Sequence, residues 1–296
     1  MIKKKNFNLL TKIIIGTAQF SKNYGVIKKK NQNPDEFIHL IRKYKIRTFD
    51  TSINYNKSFD LIEKNKKNSN LIIKLSTYKK NKIIPILKFK KQINQISSKI
   101  KENKIYSFMI HDFNLSYENK IRNHINFLSE YCLKKKIHFG FSIYNLREFN
   151  CIKKKYVFNI LQIPLNIFNR EFLDHKFIKY VKHKKIEVHA RSVFLQGLLT
   201  NDLKFIPKKF LKFENLFSSW KKLCFKNGIS RTDACINFVL NYDFVSKIVI
   251  GFKNSEELKE LIKIQRQRCN FIKNKTFSKI PKNLKNPNLW QKIKQK

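Results

Sequence analysis

The chain has little glycine or proline, six of each in 296 residues, and still less tryptophan and methionine, two of each. So few glycines and prolines exclude collagen-like, linker-like and proline-rich extended sequence. Carboxylates are also scarce, with 20 Asp and Glu against 64 Lys and Arg. No uncharged apolar run reaches the roughly 18 residues that a membrane-crossing helix needs. The five cysteines, Cys132, Cys151, Cys224, Cys235 and Cys269, are odd in number and include no Cys-x-x-Cys pair to clamp zinc or run thiol exchange. No metal site is expected, and a reducing cytoplasm is the expected compartment. Residues 1–15 imitate a secretory signal, but Lys12 breaks the apolar run and no small-residue cleavage site follows, so the segment reads as a first strand.

What the chain does contain is enough apolar material to fold: 42% hydrophobic residues, 14% of all residues being aromatic. The length accommodates one α/β barrel or two smaller domains. A formal net charge of +44 is the pattern of a nucleic-acid or anionic-membrane binder. Here, however, the lysines run along the whole chain, and Lys, Asn, Ile and Phe are inflated together, as a very A+T-rich coding sequence imposes. A solvated cationic surface follows, with no specific nucleic-acid partner and no membrane partner expected, although small anions would be attracted.

Nearly continuous apolar, β-rich runs recur at Lys12–Thr17, Ile46–Asp50, Leu71–Ser76, Ile105–Ile110, Ile137–Phe141, Val157–Gln162, Ile186–Ala190 and Lys247–Gly251. Strands of this kind are covered on both faces, as in a parallel sheet. Helical periodicity fills the intervals, at Pro34–Tyr44, Tyr117–Lys135, Glu171–His183 and Ser230–Asn241. Ser230-x-x-Asp233 reads as a capping-box variant, and Pro34 with Asp35 and Glu36 as a helix start. This alternation predicts an α/β fold, a (β/α)8 TIM barrel over residues 1–264, followed by a basic extension over residues 265–296, read as a loosely ordered tail or an extra helix. Leu198–Leu216 reads as a long connection over the barrel mouth.

The rare residues converge on one end of this barrel. Gly16, Gly140, Gly197 and Gly251 fall at or just beyond the C-terminal ends of the proposed strands, where a barrel builds its site. Asp50, Lys74, His111, Ser142 and Gln162 end or follow successive strands. A lysine inside Leu71-Ile72-Ile73-Lys74-Leu75 needs a carboxylate partner if it points inward, and Asp50 on the neighbouring strand is the candidate.

Gly16-Thr17-Ala18-Gln19-Phe20 with Tyr24-Gly25, and Phe49-Asp50-Thr51-Ser52 with Tyr55, resemble the opening of the aldo/keto reductases. The likeness continues through Ile73-Lys74-Leu75, Met109-Ile110-His111-Asp112, Gly140-Phe141-Ser142, the segments 162–166 and 191–199, and Ile250-Gly251 onward. It looks most like the bacterial branch associated with sugar and surface-polysaccharide metabolism. The resemblance implies reduction of an aldehyde or ketone, a small-molecule carbonyl substrate, with a tetrad of Asp50, Tyr55, Lys74 and His111. Tyr55 would be the proton donor, Lys74 the charge beside its phenol, Asp50 the anchor of that charge, and His111 the group orienting the substrate oxygen. It implies NADPH as preferred cofactor, with NADH the alternative. Gly16, Thr17, Ser142 and Gln162 would lie at the nicotinamide and Arg191 where many members stack an aromatic ring. Gly251, Lys253 and Asn254 would sit at the phosphates, with Lys253 suited to a 2′-phosphate. A barrel that has lost turnover and serves as a binding or regulatory protein is the other reading.

Overall fold

The computed structural model describes residues 9–20, 34–52, 69–79, 82–100, 104–111, 113–252, 254–267, 277 and 279–292. Tyr55 and Lys253 lie outside the described residues, as does the connection of residues 53–68 between the second and third strands.

Eight parallel strands close into a barrel in chain order: β1 (Ile13–Gly16), β2 (Thr48–Ser52), β3 (Asn70–Leu75), β4 (Ile105–Ile110), β5 (His138–Ser142), β6 (Ile160–Pro164), β7 (Glu187–Arg191) and β8 (Lys247–Gly251). β8 pairs back onto β1 with Ile13 opposite Ile248 and Gly16 opposite Gly251. Around this wall lie α1 (Pro34–Lys43), α2 (Ile86–Lys99), α3 (Glu118–Lys135), α4 (Leu146–Lys155), α5 (His175–His183), α6 (Glu214–Lys226), α7 (Arg231–Leu240) and α8 (Ser255–Ile262). The molecule is a single-domain (β/α)8 barrel.

Helix ends follow their sequence signals. Asn145, Asp174, Ser230 and Asn254 cap α4, α5, α7 and α8 by accepting a hydrogen bond from the backbone N–H three residues on. α1 carries Asp35 and Glu36 in its first turn and Arg42 and Lys43 in its last, in the sense that the helix dipole favours. α3 ends at Lys136 in the left-handed conformation, φ 54°, where its N–H closes onto Cys132 and Leu133 carbonyls.

Strand periodicity then positions the site. Ile14, Ile72, Met109 and Ile160 pack together with Val249 as a cluster separate from the main core, filling the barrel interior. Side chains of a strand repeat their direction every two residues. One repeat toward the C-terminal end of each strand therefore aims Gly16, Lys74, His111, Gln162 and Gly251 into the same end of the barrel. The observed β2 reaches Ser52, two residues beyond the expected strand, and sets Ser52 opposite Lys74.

At the opposite end of the interior, Tyr106 donates to Glu187 Oε2 at 2.5 Å and His189 Nε2 lies 2.8 Å from Glu187 Oε1. Burial pushes the Glu187 carboxyl up, but the hydrogen bonds from His189 and Tyr106 outweigh it and hold the group at about 2. A carboxyl depressed in the fold contributes stability above its unfolded pKa, and that stability drains away as pH falls toward the folded value. Glu187→Gln is therefore expected to lower stability near neutral pH by about 2 kcal/mol and to flatten its decline between roughly pH 5 and pH 2. Urea unfolding across that range checks both.

Two features differ from the expectation, and a third falls on one of its two alternatives. Gly140 lies inside β5, not beyond its end: a Cβ there would run into the Ile160 carbonyl of β6, so the residue serves strand packing. The connection after Leu198 is a series of short 3-10 turns, Leu203–Phe205 and Lys208–Phe213, tied down by buried Ile206 and Phe210 and by Trp220 Nε1 donating to the Leu199 carbonyl at 2.9 Å. The C-terminal segment is seated over its described residues, as a short helix α9 (Lys282–Lys285) and a 3-10 turn Pro287–Lys292. Phe277 packs on Phe168 and Trp220, and Trp290 on Phe210. Aromatic anchors hold this basic segment, a signal hidden by its polar composition.

Candidate active site

A cavity of about 540 Å³ opens at the C-terminal ends of the strands, walled by Gly16, Asp50, Lys74, His111, Ser142, Gln162, Arg191, Gly251 and Asn254. Nine of the residues anticipated from the sequence thus share one space, contributed by most strands of the barrel. Thr17 is fully buried behind it, its hydroxyl donating to the Asp50 carbonyl at 3.1 Å.

Asp50 is the hub. Its Oδ1 takes the Lys74 ammonium at 2.5 Å and its Oδ2 accepts from Gln162 Nε2 at 2.7 Å, with the Asp50 and Lys74 side chains only 3% and 7% exposed. Two unlike charges buried so deeply persist only when each is paired and hydrogen-bonded. Register explains the pairing: Asp50 of β2 lies beside Ile72 of β3, and Lys74 reaches it diagonally from the next inward position.

His111 follows β4 and its N–H donates to the Leu75 carbonyl at 2.9 Å. Full burial, and then the charges of Lys74 and Arg191, push its pKa well below the ordinary histidine value. The ring is neutral at physiological pH, with one donor and one acceptor nitrogen. Its Nδ1 lies 3.3 Å from Ser52 Oγ, which also donates to the Lys74 carbonyl at 3.1 Å. Ser52 thereby links ring and lysine backbone, leaving Nε2 as the ring's second hydrogen-bonding atom.

On the far wall, Arg191 Nε donates to Ser142 Oγ at 3.2 Å and Nη2 to the Ile143 carbonyl at 3.0 Å. Its guanidinium lies 4.2 Å from the centre of the Tyr144 ring. Arg191 is thus already engaged in a cation–π contact on the Tyr144 side. Beyond it the chain turns through Ser192, Leu195 and Gln196, all at positive φ (58°, 47° and 54°), before Gly197 at 96°. Asn166 steadies this turn by donating to the Ser192 carbonyl at 2.9 Å. Left-handed backbone at non-glycine residues costs about 1 kcal/mol or more each and is typical of loops shaped for a ligand.

Two buried acceptors in the wall have no partner among the described residues: Gln162 Oε1 and Gln19 Oε1. Gln162 is wholly inaccessible, and Gln19 packs over Gly251, whose missing side chain makes the room. Ser52, Tyr144 and Gln19 are site residues that sequence reading missed. Ser52 and Gln19 stood within quoted motifs, whereas Tyr144 enters only because β5 and β7 bring it to Arg191. Among the described residues no three His, Cys, Asp or Glu side chains gather to hold a metal, and no helix is long and apolar enough to cross a membrane.

Comparison with known proteins agrees with the barrel fold. The model of the aldo/keto reductase family matches residues 12–270. An aldo-keto reductase of Bacillus halodurans, solved in a holo form, superposes with a TM-score of 0.68 at 11% identity, covering 93% of this chain and 95% of that one. A protein of Pseudomonas aeruginosa described as an aldo-keto reductase superposes with a TM-score of 0.62 at 12% identity, covering 86% and 90%. A thermostable aldo-keto reductase bound to the inhibitor epalrestat gives 0.60 at 15% identity, covering 87% and 90%. No curated protein sequence matches the chain. Identities this low carry the barrel alone; the family match spans all eight strands, and by it the chain belongs to the aldo/keto reductase family.

Proposed function

We propose that this protein is an NAD(P)H-dependent oxidoreductase that reduces an aldehyde or ketone, of sugar type, to the alcohol. The observation that carries this reading is the buried Asp50–Lys74 ion pair under Gln162, facing the same cavity as neutral His111.

The wall fits a dinucleotide. Ser142 and Gln162 stand opposite each other on neighbouring strands at the cavity, and Gly16 and Gly251 let a ligand approach bare backbone. Arg191 borders the same space, and Asn254, which Lys253 precedes in the sequence, caps the start of α8. A reduced nicotinamide, when bound, supplies the hydride.

The chain supplies the proton and the field. Tyr55, in the connection following β2, is the general acid; a phenol near pKa ~10 needs help to serve at neutral pH. Lys74 gives that help as positive charge, which favours phenolate formation as the proton leaves. Asp50, held on both oxygens, keeps the ammonium from swinging away. His111, neutral and fixed through Ser52, can orient the carbonyl oxygen or relay its proton without adding a charge that would oppose Lys74.

The test is calorimetric titration with reduced nicotinamide dinucleotides at about twice physiological ionic strength, where screening suppresses nonspecific attraction to so basic a chain. Saturable binding of one per chain, followed by consumption of the reduced cofactor that depends on an added aldehyde or ketone, is the expected result. Saturable binding with no turnover on a broad carbonyl panel points to the binding protein instead; no saturable binding overturns the dinucleotide site.

A further inference from the structure

We propose that the end of the barrel opposite the cavity is a docking surface for an anionic lipid bilayer, engaged peripherally while the cavity mouth faces away into water. The proposal stands apart from the catalytic reading, and it reverses the expectation that the cations form only a solvated surface with no membrane partner.

The eight strands run parallel, so the chain enters each of them at one end of the barrel and leaves at the other, where the cavity opens. The entries are basic. Lys12 precedes β1, Lys45 and Arg47 precede β2, and Lys104 precedes β4. Further round the wall, Lys135 and Lys136 precede β5, Lys184 and Lys185 precede β7, and Lys247 opens β8. The three positions that follow each strand hold a single Lys or Arg in the sequence, Lys253. Cations that look evenly strewn along the chain are thus sorted by the fold at the strand boundaries, entry over exit.

Local structure fixes these charges in place. Lys45, Lys136 and Lys185 follow α1, α3 and α5 in left-handed backbone, φ 53°, 54° and 52°, where glycine is the usual residue. A turn that ordinarily has no side chain here carries an exposed cation. Lys12 and Lys247 brace β1 against β8 by donating to the Val245 and Thr11 carbonyls at 3.2 and 2.7 Å, neutral acceptors that hold the ammonium groups without cancelling their charge. Burial, and then the charges of Arg266 and Lys247, lower the Lys12 pKa, as crowding of like charges does. Two carboxylates at this end, Asp243 and Glu187, are already taken, Asp243 by Lys182 at 2.6 Å and Glu187 by His189 and Tyr106 inside the barrel.

Apolar residues on the same face choose between anionic partners. Leu133, in the last turn of α3 beside Lys134 and Lys135, is 80% exposed, and Val157, just before β6, is 86% exposed. β5 and β6 are neighbours, so both residues belong to one arc of this face. A membrane-interface surface combines cations that meet anionic headgroups with apolar side chains that enter the boundary of the acyl layer. A nucleic-acid backbone would use the cations and gain nothing from Leu133 and Val157, and the cations ring a broad face instead of tracking a groove. No helix among the described residues is long and apolar enough to cross a bilayer, so the contact is peripheral.

The full chain is titrated with vesicles of phosphatidylcholine, with and without about one quarter phosphatidylglycerol, at physiological ionic strength, and binding is read by co-flotation. Partition onto the anionic vesicles is expected to be at least about tenfold tighter than onto the neutral ones. A chain of charge +44 is drawn to any polyanion, so the deciding comparison holds net charge equal. One variant changes the docking face: Lys134→Gln, Lys136→Asn, Lys184→Gln and Lys185→Asn, the asparagines tolerating the left-handed turns. The other changes exposed lysines in the first turns of helices, toward the cavity end: Lys88→Gln, Lys120→Gln, Lys176→Gln and Lys179→Gln. The first is expected to lose at least about tenfold in vesicle affinity and the second no more than about twofold, both with wild-type unfolding midpoints. Leu133→Ser with Val157→Ser is expected to weaken vesicle binding at least about threefold and to leave affinity for a random-sequence RNA duplex unchanged. Equal losses in the two lysine variants, or equal partition onto neutral and anionic vesicles, overturn the proposal. Vesicle binding that ignores the Leu133 and Val157 changes, while RNA binding falls in the first lysine variant, overturns the lipid assignment in favour of a nucleic-acid contact. Each of these results leaves the proposed reductase function standing, because the substitutions lie outside the cavity.

Discussion

Lys74→Met is expected to lower the rate of carbonyl reduction by about a thousandfold or more while leaving reduced-cofactor affinity within about threefold of the wild type. The same substitution carries a structural penalty. Asp50, 2% exposed, keeps its Gln162 donor but loses the ammonium 2.5 Å away, and stranding one partner of a buried ion pair costs about 3–5 kcal/mol. Activity loss alone would therefore be ambiguous between lost chemistry and lost fold. The double variant Asp50→Asn with Lys74→Met removes the stranded charge; it should recover most of the stability and none of the activity. Tyr55→Phe separates the two effects from the other side, because it deletes the proposed proton donor and leaves the Asp50–Lys74 pair in place. It is expected to match the activity loss of Lys74→Met with a thermal midpoint close to wild type. Full activity in Tyr55→Phe would remove Tyr55 from the mechanism. Steady-state kinetics, calorimetry and thermal melts on the four proteins read all of this.

Gly140→Ala is expected to have the largest effect on the fold of any single methyl addition. Within β5, the new Cβ would press on the carbonyl of Ile160, a backbone atom of β6 that cannot rotate aside. The two strands would have to part beneath Ser142 and Gln162, which face each other one inward position further along. Forced backbone shifts of this kind cost about 3 kcal/mol, corresponding to a drop of roughly 5 °C in the unfolding midpoint for a chain of this size. Gly251→Ala is the control: its nearest neighbours are atoms of the Gln19 side chain at 3.1–3.3 Å, which can give way. It should melt close to wild type. Equal stability in the Gly140 and Gly251 variants would refute the packing role assigned to Gly140. A selective loss of cofactor binding in Gly140→Ala, with an unchanged midpoint, would restore the ligand-approach role suggested by its place in the sequence.

The eight strands were legible because each is a short apolar run bounded by turn residues, and a parallel barrel covers both faces of every strand. Their ends were less legible. β6 begins at Ile160, not Val157, which is 86% exposed, because pairing with β5 starts only at Gly140. β-Branched residues signal strand propensity, but the neighbouring strand decides where pairing begins. The seated C-terminus escaped notice for a related reason. Phe277 and Trp290 are isolated aromatics in polar sequence, and their burial depends on Phe168, Trp220 and Phe210 from far upstream.

The same division runs through the site. Spacing alone put Asp50, Lys74, His111, Ser142 and Gln162 at successive strand ends, because a period of two residues and a closed parallel barrel leave inward side chains little freedom. Lys74 inside an apolar run required an anion, and Asp50 was the nearest. Partners across the barrel were another matter: Gln162 on Asp50, Tyr144 under Arg191, Ser52 on His111, and the glutamates of α8 beyond Gly251. The sequence by itself determined which chemical groups point into the barrel, since that follows from local periodicity. Only the tertiary structure decided which of those groups meet, which charges are already spent on each other, and which atoms are left for a ligand, because those depend on contacts between residues far apart in the chain, 112 positions for Gln162 and Asp50 and 223 for Lys259 and Glu36.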